Sequence, residues 1–130
     1  MLHNQRAAID QLEETINNEA EVLGYAKASR FAIRLSLDEA ITNGFKHGHE
    51  GLPGDLPILV EYSVMPDEVF LAVEDQGPGF NPAGIADPTL DENLEQMSGR
   101  GVILIRAYMA TVRFNPRGNR VEMTYRKPRA

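Results

Sequence analysis

Apolar residues return every three or four positions near the start of the chain. Ile9, Leu12, Ile16, Ala20 and Leu23 fall on one face of a helix expected over residues 5–23. Gly24 suits its C-terminal end. A second helix is expected from Ala28 or Ser29 to His47, with Ile33, Leu37, Ile41 and Phe45 as its apolar stripe. Gly48 to Pro57 holds three glycines and two prolines and reads as a loop. The period then changes to two. Ile58, Val60, Tyr62 and Val64 alternate along one strand, and Val69 to Val73 forms another. Met65 to Glu68 joins them, with Pro66 fixing the turn of an antiparallel hairpin. Residues 76–98 carry glycine, three prolines and many acids. Connections of that length are usually lids or binding loops. A third helix, Val102 to Met109, follows Gly99-Arg100-Gly101. Thr111 to Asn115 and Arg120 to Tyr125 complete a second hairpin around residues 116–119. This order predicts an α+β two-layer sandwich. A mostly antiparallel sheet of about four strands is covered on one face by three helices.

Composition narrows the class. The chain has 130 residues, 42% hydrophobic and 25% charged, which fits one globular domain spanning 1–130. Collagen, coiled coil and long disorder are excluded. There are no cysteines, so disulfides, thiolate metal sites and cysteine nucleophiles are excluded too. No apolar run approaches the ~20 residues that span a bilayer. The N-terminus has neither the basic start nor the apolar core of a signal peptide. A cytoplasmic protein without membrane contact is the expectation.

The net charge is −6, which disfavours nucleic acid as a partner. Its distribution is uneven. Residues 1–99 carry a net −13 and residues 100–130 a net +7. The basic end reads either as solvated strand faces and a tail, or as a patch for an anion or an acidic partner.

Three short stretches carry candidate chemistry. Glu39, Asn43 and His47 are spaced four apart, on a different helix face from the apolar stripe. The other reading is a solvated helix face. Gly44 within that helix costs about 1 kcal/mol relative to alanine, which implies close approach by a neighbour or a ligand. Next, Glu74-Asp75-Gln76-Gly77-Pro78-Gly79 closes a strand with acids and two glycines that permit close backbone approach. An ordinary strand-ending turn has the same composition. Last, Ser98-Gly99-Arg100-Gly101 opens a helix, where free N–H groups and Arg100 suit an anion; Ser98 also reads as a simple cap. The P-loop and dinucleotide fingerprints are absent. His3, His47 and His49 have no zinc spacing, and Ser36 and Ser98 lie in no nucleophile elbow.

In order and context, these stretches resemble the N, G1 and G2 boxes of the GHKL ATPase superfamily, which has the Bergerat fold. Glu39, Asn43 and His47 match E-x-x-x-N-x-x-x-H. Asp75, Gly77 and Gly79 match D-x-G-x-G. Gly99 and Gly101 match the G-x-G ahead of a helix. The small size is similar to that of the anti-sigma-factor serine/threonine kinases. The resemblance covers about residues 5–126.

That resemblance implies an ATP-dependent kinase. Asp75 accepts the adenine amino group, and Gly77 and Gly79 let the backbone approach the base. Asn43 supplies an oxygen to Mg²⁺, and Glu39 is the general base. Gly99, Arg100 and Gly101 cradle phosphate, and residues 81–98 form the lid. Lys46 and His47, one turn beyond Asn43, are expected to make surface or capping contacts. The implied partners are a small anti-sigma-factor antagonist phosphorylated on Ser or Thr, a sigma factor or similar target, and a second copy in a homodimer.

The chain departs from the pattern in two places. Relatives place a strand before the first helix, so here that edge strand is missing, shortened or supplied by another chain. Gly118-Asn119 stands where many relatives have Gly-Thr. Two rival functions follow. One is a non-catalytic nucleotide-binding module that only binds protein partners. The other is a detached histidine-kinase catalytic domain, disfavoured because no phosphoacceptor hairpin precedes the boxes.

Overall fold

A computed structural model describes residues 1–49, 51–52, 56–77, 108–116 and 118–128, without the side chains of His47 and Gly48. The first helix, α1, spans Arg6–Val22 and the second, α2, spans Lys27–Asn43. The α1 stripe turns inward as its periodicity requires, with Ile9, Ile16 and Ala20 buried. Glu13 lies on the same inward face. Gly24 ends α1 at φ +85°, where an L side chain is strained. The Gly24 N–H donates to the Glu21 carbonyl and the Tyr25 N–H to the Ala20 carbonyl, which closes a Schellman motif. On α2, Ile33, Leu37 and Ile41 are buried against α1 and the sheet.

The predicted α-helix to His47 stops at Asn43. Gly44–Gly48 form a wider π turn, sealed by a 3.0 Å bond from the His49 N–H to the Gly44 carbonyl. Glycine is a poor α-helix former, which lowers the cost of leaving the α pattern there. The predicted third helix lies outside the described residues, except that Tyr108 is helical and Met109 is buried.

Four strands follow: β1 (Leu59–Val64), β2 (Glu68–Glu74), β3 (Thr111–Phe114) and β4 (Arg120–Arg126). Their spatial order is β1-β2-β4-β3, antiparallel throughout. The Met65 N–H reaches the Glu68 carbonyl at 2.9 Å and closes the β1–β2 turn. Leu71 opposes Tyr62 on one side and Met123 on the other, and both Leu71 and Met123 are fully buried. Inward residues from the sheet and the two helices form one core.

Where an edge strand is expected before α1, the described residues hold a single bridge. Leu2 and Ile58 exchange two backbone bonds of 2.7 and 2.8 Å, an antiparallel bridge one residue long. At the far end, Tyr25 Oη donates to the Met65 carbonyl and Tyr125 Oη to Ser29 Oγ, both at 2.7 Å. Part of the basic C-terminal segment serves the sheet. Arg120, 17% exposed, lies 3.1 Å from Glu61, 3.0 Å from Glu122 and 3.7 Å from Glu74. Among the described residues no helix is long and apolar enough to cross a membrane.

Candidate functional site

Helix α2 is regular through Asn43, so Glu39 and Asn43 stand one turn apart on one face, both partly exposed. The neighbouring Asp38 serves the seam with α1 instead, accepting from Arg6 at 2.9 Å. The wider turn after Asn43 brings the helix end against β2. A Cβ built on Gly44 lies 3.8 Å from the Asp75 Cβ, 3.8 Å from a Val73 methyl and 3.6 Å from an Ile58 methyl. The close approach that Gly44 implies is therefore by protein side chains, at ordinary contact distance.

Asp75 follows the last residue of β2 and is clamped by its backbone. Its N–H donates to the Asn119 carbonyl, and Asn119 Nδ2 donates to the Asp75 carbonyl, both at 2.9 Å. Asn119 is 8% exposed and is itself held in place. Asn115 Oδ1 accepts the N–H groups of Gly118, Asn119 and Arg120, and Asn115 Nδ2 donates to Asn119 Oδ1. This is side-chain capping of a tight turn, the work for which asparagine is suited.

The turn beyond Asp75 is fixed from two further sides. Asp75 Oδ1 accepts the Gly77 N–H at 2.8 Å. The Gln76 N–H donates to His49 Nε2 at 2.8 Å, and Gln76 Nε2 donates to the Pro57 carbonyl at 2.8 Å. His49 is 7% exposed, its ring edge-on to Phe45 with centroids 5.9 Å apart.

The structure thus brings the Glu39–Asn43 helix end to Asp75 and Gly77. Gly79, Gly99, Arg100 and Gly101 lie outside the described residues. Two residues escape the sequence argument. Asn119 stands there only as a departure from Gly-Thr, and His49 only as a histidine without zinc spacing. The Asn115–Asn119 turn carries the one readable signal, an asparagine ahead of a glycine. A cavity of about 380 Å³ opens elsewhere, between the N-terminal arm and the end of α2. Arg6, Ile9, Phe45 and Lys46 line it; Glu39, Asn43 and Asp75 do not.

Among the described residues, a carboxyl group raised by burial lies away from this site, at Glu13. Glu13, 2% exposed, accepts from Arg34 Nε at 3.1 Å and lies 3.6 Å from Arg6. Burial first, and then the Asp38 carboxylate, push its carboxyl up to about 7. Burial works against ionisation of Asp38 as well, but the bonds from Glu13 and Arg6 hold it below its usual value.

Comparison with known proteins places the chain in context. The family model described as the histidine kinase-like ATPase domain matches residues 3–125. Over 87 residues the chain is 31% identical to the serine-protein kinase RsbW of Listeria monocytogenes serovar 1/2a. It is 30% identical over the same length to the RsbW of Listeria innocua serovar 6a. Each match covers 62% of this chain and 55% of the relative, so the chain spans about half the length of those kinases. A solved structure of full-length ShkA in complex with AMPPNP is 18% identical, with a TM-score of 0.49. That match covers 94% of this chain and 30% of the other.

Proposed function

The chain belongs to the histidine kinase-like ATPase domain family, and from that premise we propose that it binds ATP and phosphorylates a small antagonist protein on serine or threonine. The observation that supports this reading best is the meeting of the α2 end with the Asp75 turn, marked by Gly44 lying against Asp75. In this reading the adenine-binding carboxylate of Asp75 lies next to the helix end that carries Asn43, for the metal, and Glu39, for the general base.

Asp75 accepts the adenine amino group, and guanine is rejected because it offers an acceptor at that place. A recognition carboxylate discriminates only if it is held still. The Asn119 clamp and the bond to Gly77 do this. Asn43 offers one amide oxygen, a donor that fits Mg²⁺, which prefers oxygen and keeps several waters. When bound with nucleotide, the ion neutralises phosphate charge. Glu39, one turn from Asn43, takes the proton of the attacking hydroxyl. Gly99, Arg100 and Gly101 are assigned to phosphate by their motif, and Gly79 to the base.

The same surface serves partner switching in this reading. It holds a sigma factor or similar target in one nucleotide state and a phosphorylatable antagonist in the other. The similarity to RsbW serine-protein kinases supports that assignment, and the proposed setting is the cytoplasm.

The test begins with calorimetric titration of ATP, with and without Mg²⁺. Micromolar, Mg²⁺-dependent binding is expected. Labelled ATP is then offered with candidate antagonist proteins, and acid-stable phosphate on Ser or Thr is expected. The Glu39→Ala variant should bind ATP normally and transfer phosphate about 100-fold more slowly or worse. Unchanged transfer in that variant overturns the general-base role. Tight binding with no transfer to any candidate leaves a nucleotide-dependent binding module.

A further inference from the structure

Five hydrogen bonds fix the residues that follow β2, and one of them is unlike the others. Three are accepted by the backbone carbonyls of Asn119, Asp75 and Pro57, and a fourth by Asp75 Oδ1. The fifth acceptor is an imidazole nitrogen. A backbone N–H can only donate, so the 2.8 Å contact from Gln76 requires a lone pair on His49 Nε2. That lone pair exists only in the neutral ring with its proton on Nδ1. A protonated His49 presents an N–H to an N–H, and the bond becomes a repulsion.

We propose that His49 is a positioning residue for nucleotide binding, a latch that holds the Asp75 turn in its receiving geometry while neutral and releases it on protonation. This rests on the nucleotide-binding reading above. The latch is placed to matter. Gln76 separates Asp75 from Gly77, so its N–H lies inside the turn that the Asp75 carboxylate closes. His49 itself is delivered by the π turn, since its own N–H bonds the Gly44 carbonyl five residues back. The position of the latch is therefore tied to the end of the helix that carries Glu39 and Asn43.

The surroundings set what else acts on the ring. Among the described residues, Phe45 and Lys46 belong to its own turn. From the sheet side comes the turn that it holds, with Asp75 next to the bonded Gln76. The ring is shielded by burial rather than by a dedicated ion pair in this set.

The experiment compares wild type, His49→Gln and His49→Leu by Mg-ATP titration at pH 8 and pH 5.5, with a thermal melt of each. Glutamine Oε1 can occupy the place of Nε2 and accepts without titrating. At pH 8, His49→Leu should bind ATP about five- to tenfold more weakly and His49→Gln within about twofold of wild type. ATP itself titrates in this range, so the readout is the difference between proteins. Wild type should lose about fivefold more affinity than His49→Gln between pH 8 and pH 5.5. Nitrogen NMR of the nucleotide-free protein should find the His49 proton on Nδ1 at pH 8.

Equal pH profiles for wild type and His49→Gln overturn the latch, and so does a proton on Nε2 at pH 8. Those two readouts remain decisive if His49→Leu does not fold. Absence of ATP binding by wild type at both pH values overturns the nucleotide reading instead, while the NMR result still judges the bond.

Discussion

Asp38 and Glu39 are neighbours on one helix, yet they belong to two differently built regions. Asp38 enters the seam between α1 and α2, where Arg6, Glu13 and Arg34 crowd into one network. Glu39 is partly exposed, one turn before the helix end that lies against Asp75. The seam neutralises charge with opposite charge. The turn is held by backbone groups, by the side chains of Asn115, Asn119 and His49, and by Asp75 Oδ1. A salt-bridge network couples folding to pH through its acids. A carboxylate oriented by fixed backbone groups keeps its shape for a ligand with little reorganisation.

The comparison predicts that damage separates by region. Beyond the Glu39 variant above, Asp75→Ala should lower ATP affinity about 10- to 100-fold, the range for losing a hydrogen bond to a charged acceptor. Its thermal midpoint should fall only modestly, because the Gly77 N–H loses its Oδ1 acceptor while the Asn119 bonds, which use the Asp75 backbone, remain. Asp38→Ala should do the reverse, lowering stability and leaving ATP affinity in place. Paired titrations and melts measure both. If Asp38→Ala abolishes binding in a protein that still folds, the two regions are not separate.

A gentler probe lies within the seam. Glu13 Oε2 is buried and accepts no hydrogen bond, which a protonated carboxyl resolves by donating to Asp38. The folded protein therefore holds a proton that the unfolded chain gives up above about 4.5. Because the folded value is raised, this stability is full below about 4.5 and is lost as pH climbs through about 7. Asp38 has the opposite sign, its contribution being lost only as pH falls through its lowered value. Glu13→Gln keeps a donor and an acceptor without a charge to bury. It should be more stable than wild type by about 1–2 kcal/mol at pH 8, with the gap closing towards pH 4.5. Urea unfolding at the two pH values measures this, and a gap independent of pH refutes a shared proton.

What was legible beforehand followed from periodicity. The stripes Ile9–Ile16–Ala20 and Ile33–Leu37–Ile41 and the two hairpins rest on local patterns, and all appear in the fold. Glu39, Asn43, Asp75 and Gly77 were singled out because local spacing marks them. The Asn119 clamp and the His49 latch were not, since each depends on a partner 44 or 27 residues away. Leu2 pairs with a single residue, too short a strand to show a period. Glu13 was missed for another reason. It sits within the apolar stripe, where a charge reads as a solvent-facing exception until the arginine of the next helix is seen beside it.

The smallest expected effect concerns the residue that joins the regions. Gly44 has helical dihedrals, φ −59° and ψ −47°, so its conformation does not require glycine. A Cβ there would touch Ile58, Val73 and Asp75 at 3.6–3.8 Å, ordinary contact rather than clash. Alanine should therefore recover helix propensity and gain packing, raising stability by up to about 1 kcal/mol. If the nucleotide meets Asp75 without crossing Gly44, ATP affinity should stay within about twofold. A thermal melt and one titration of Gly44→Ala decide between two uses of the glycine. Raised stability with intact binding means that it is dispensable to both regions. Raised stability with weakened binding means that the protein forgoes packing there to leave room for the ligand, which would extend the site from the Asp75 turn onto the helix end. Lowered stability overturns the steric argument, because the π turn that delivers His49 would then itself depend on glycine.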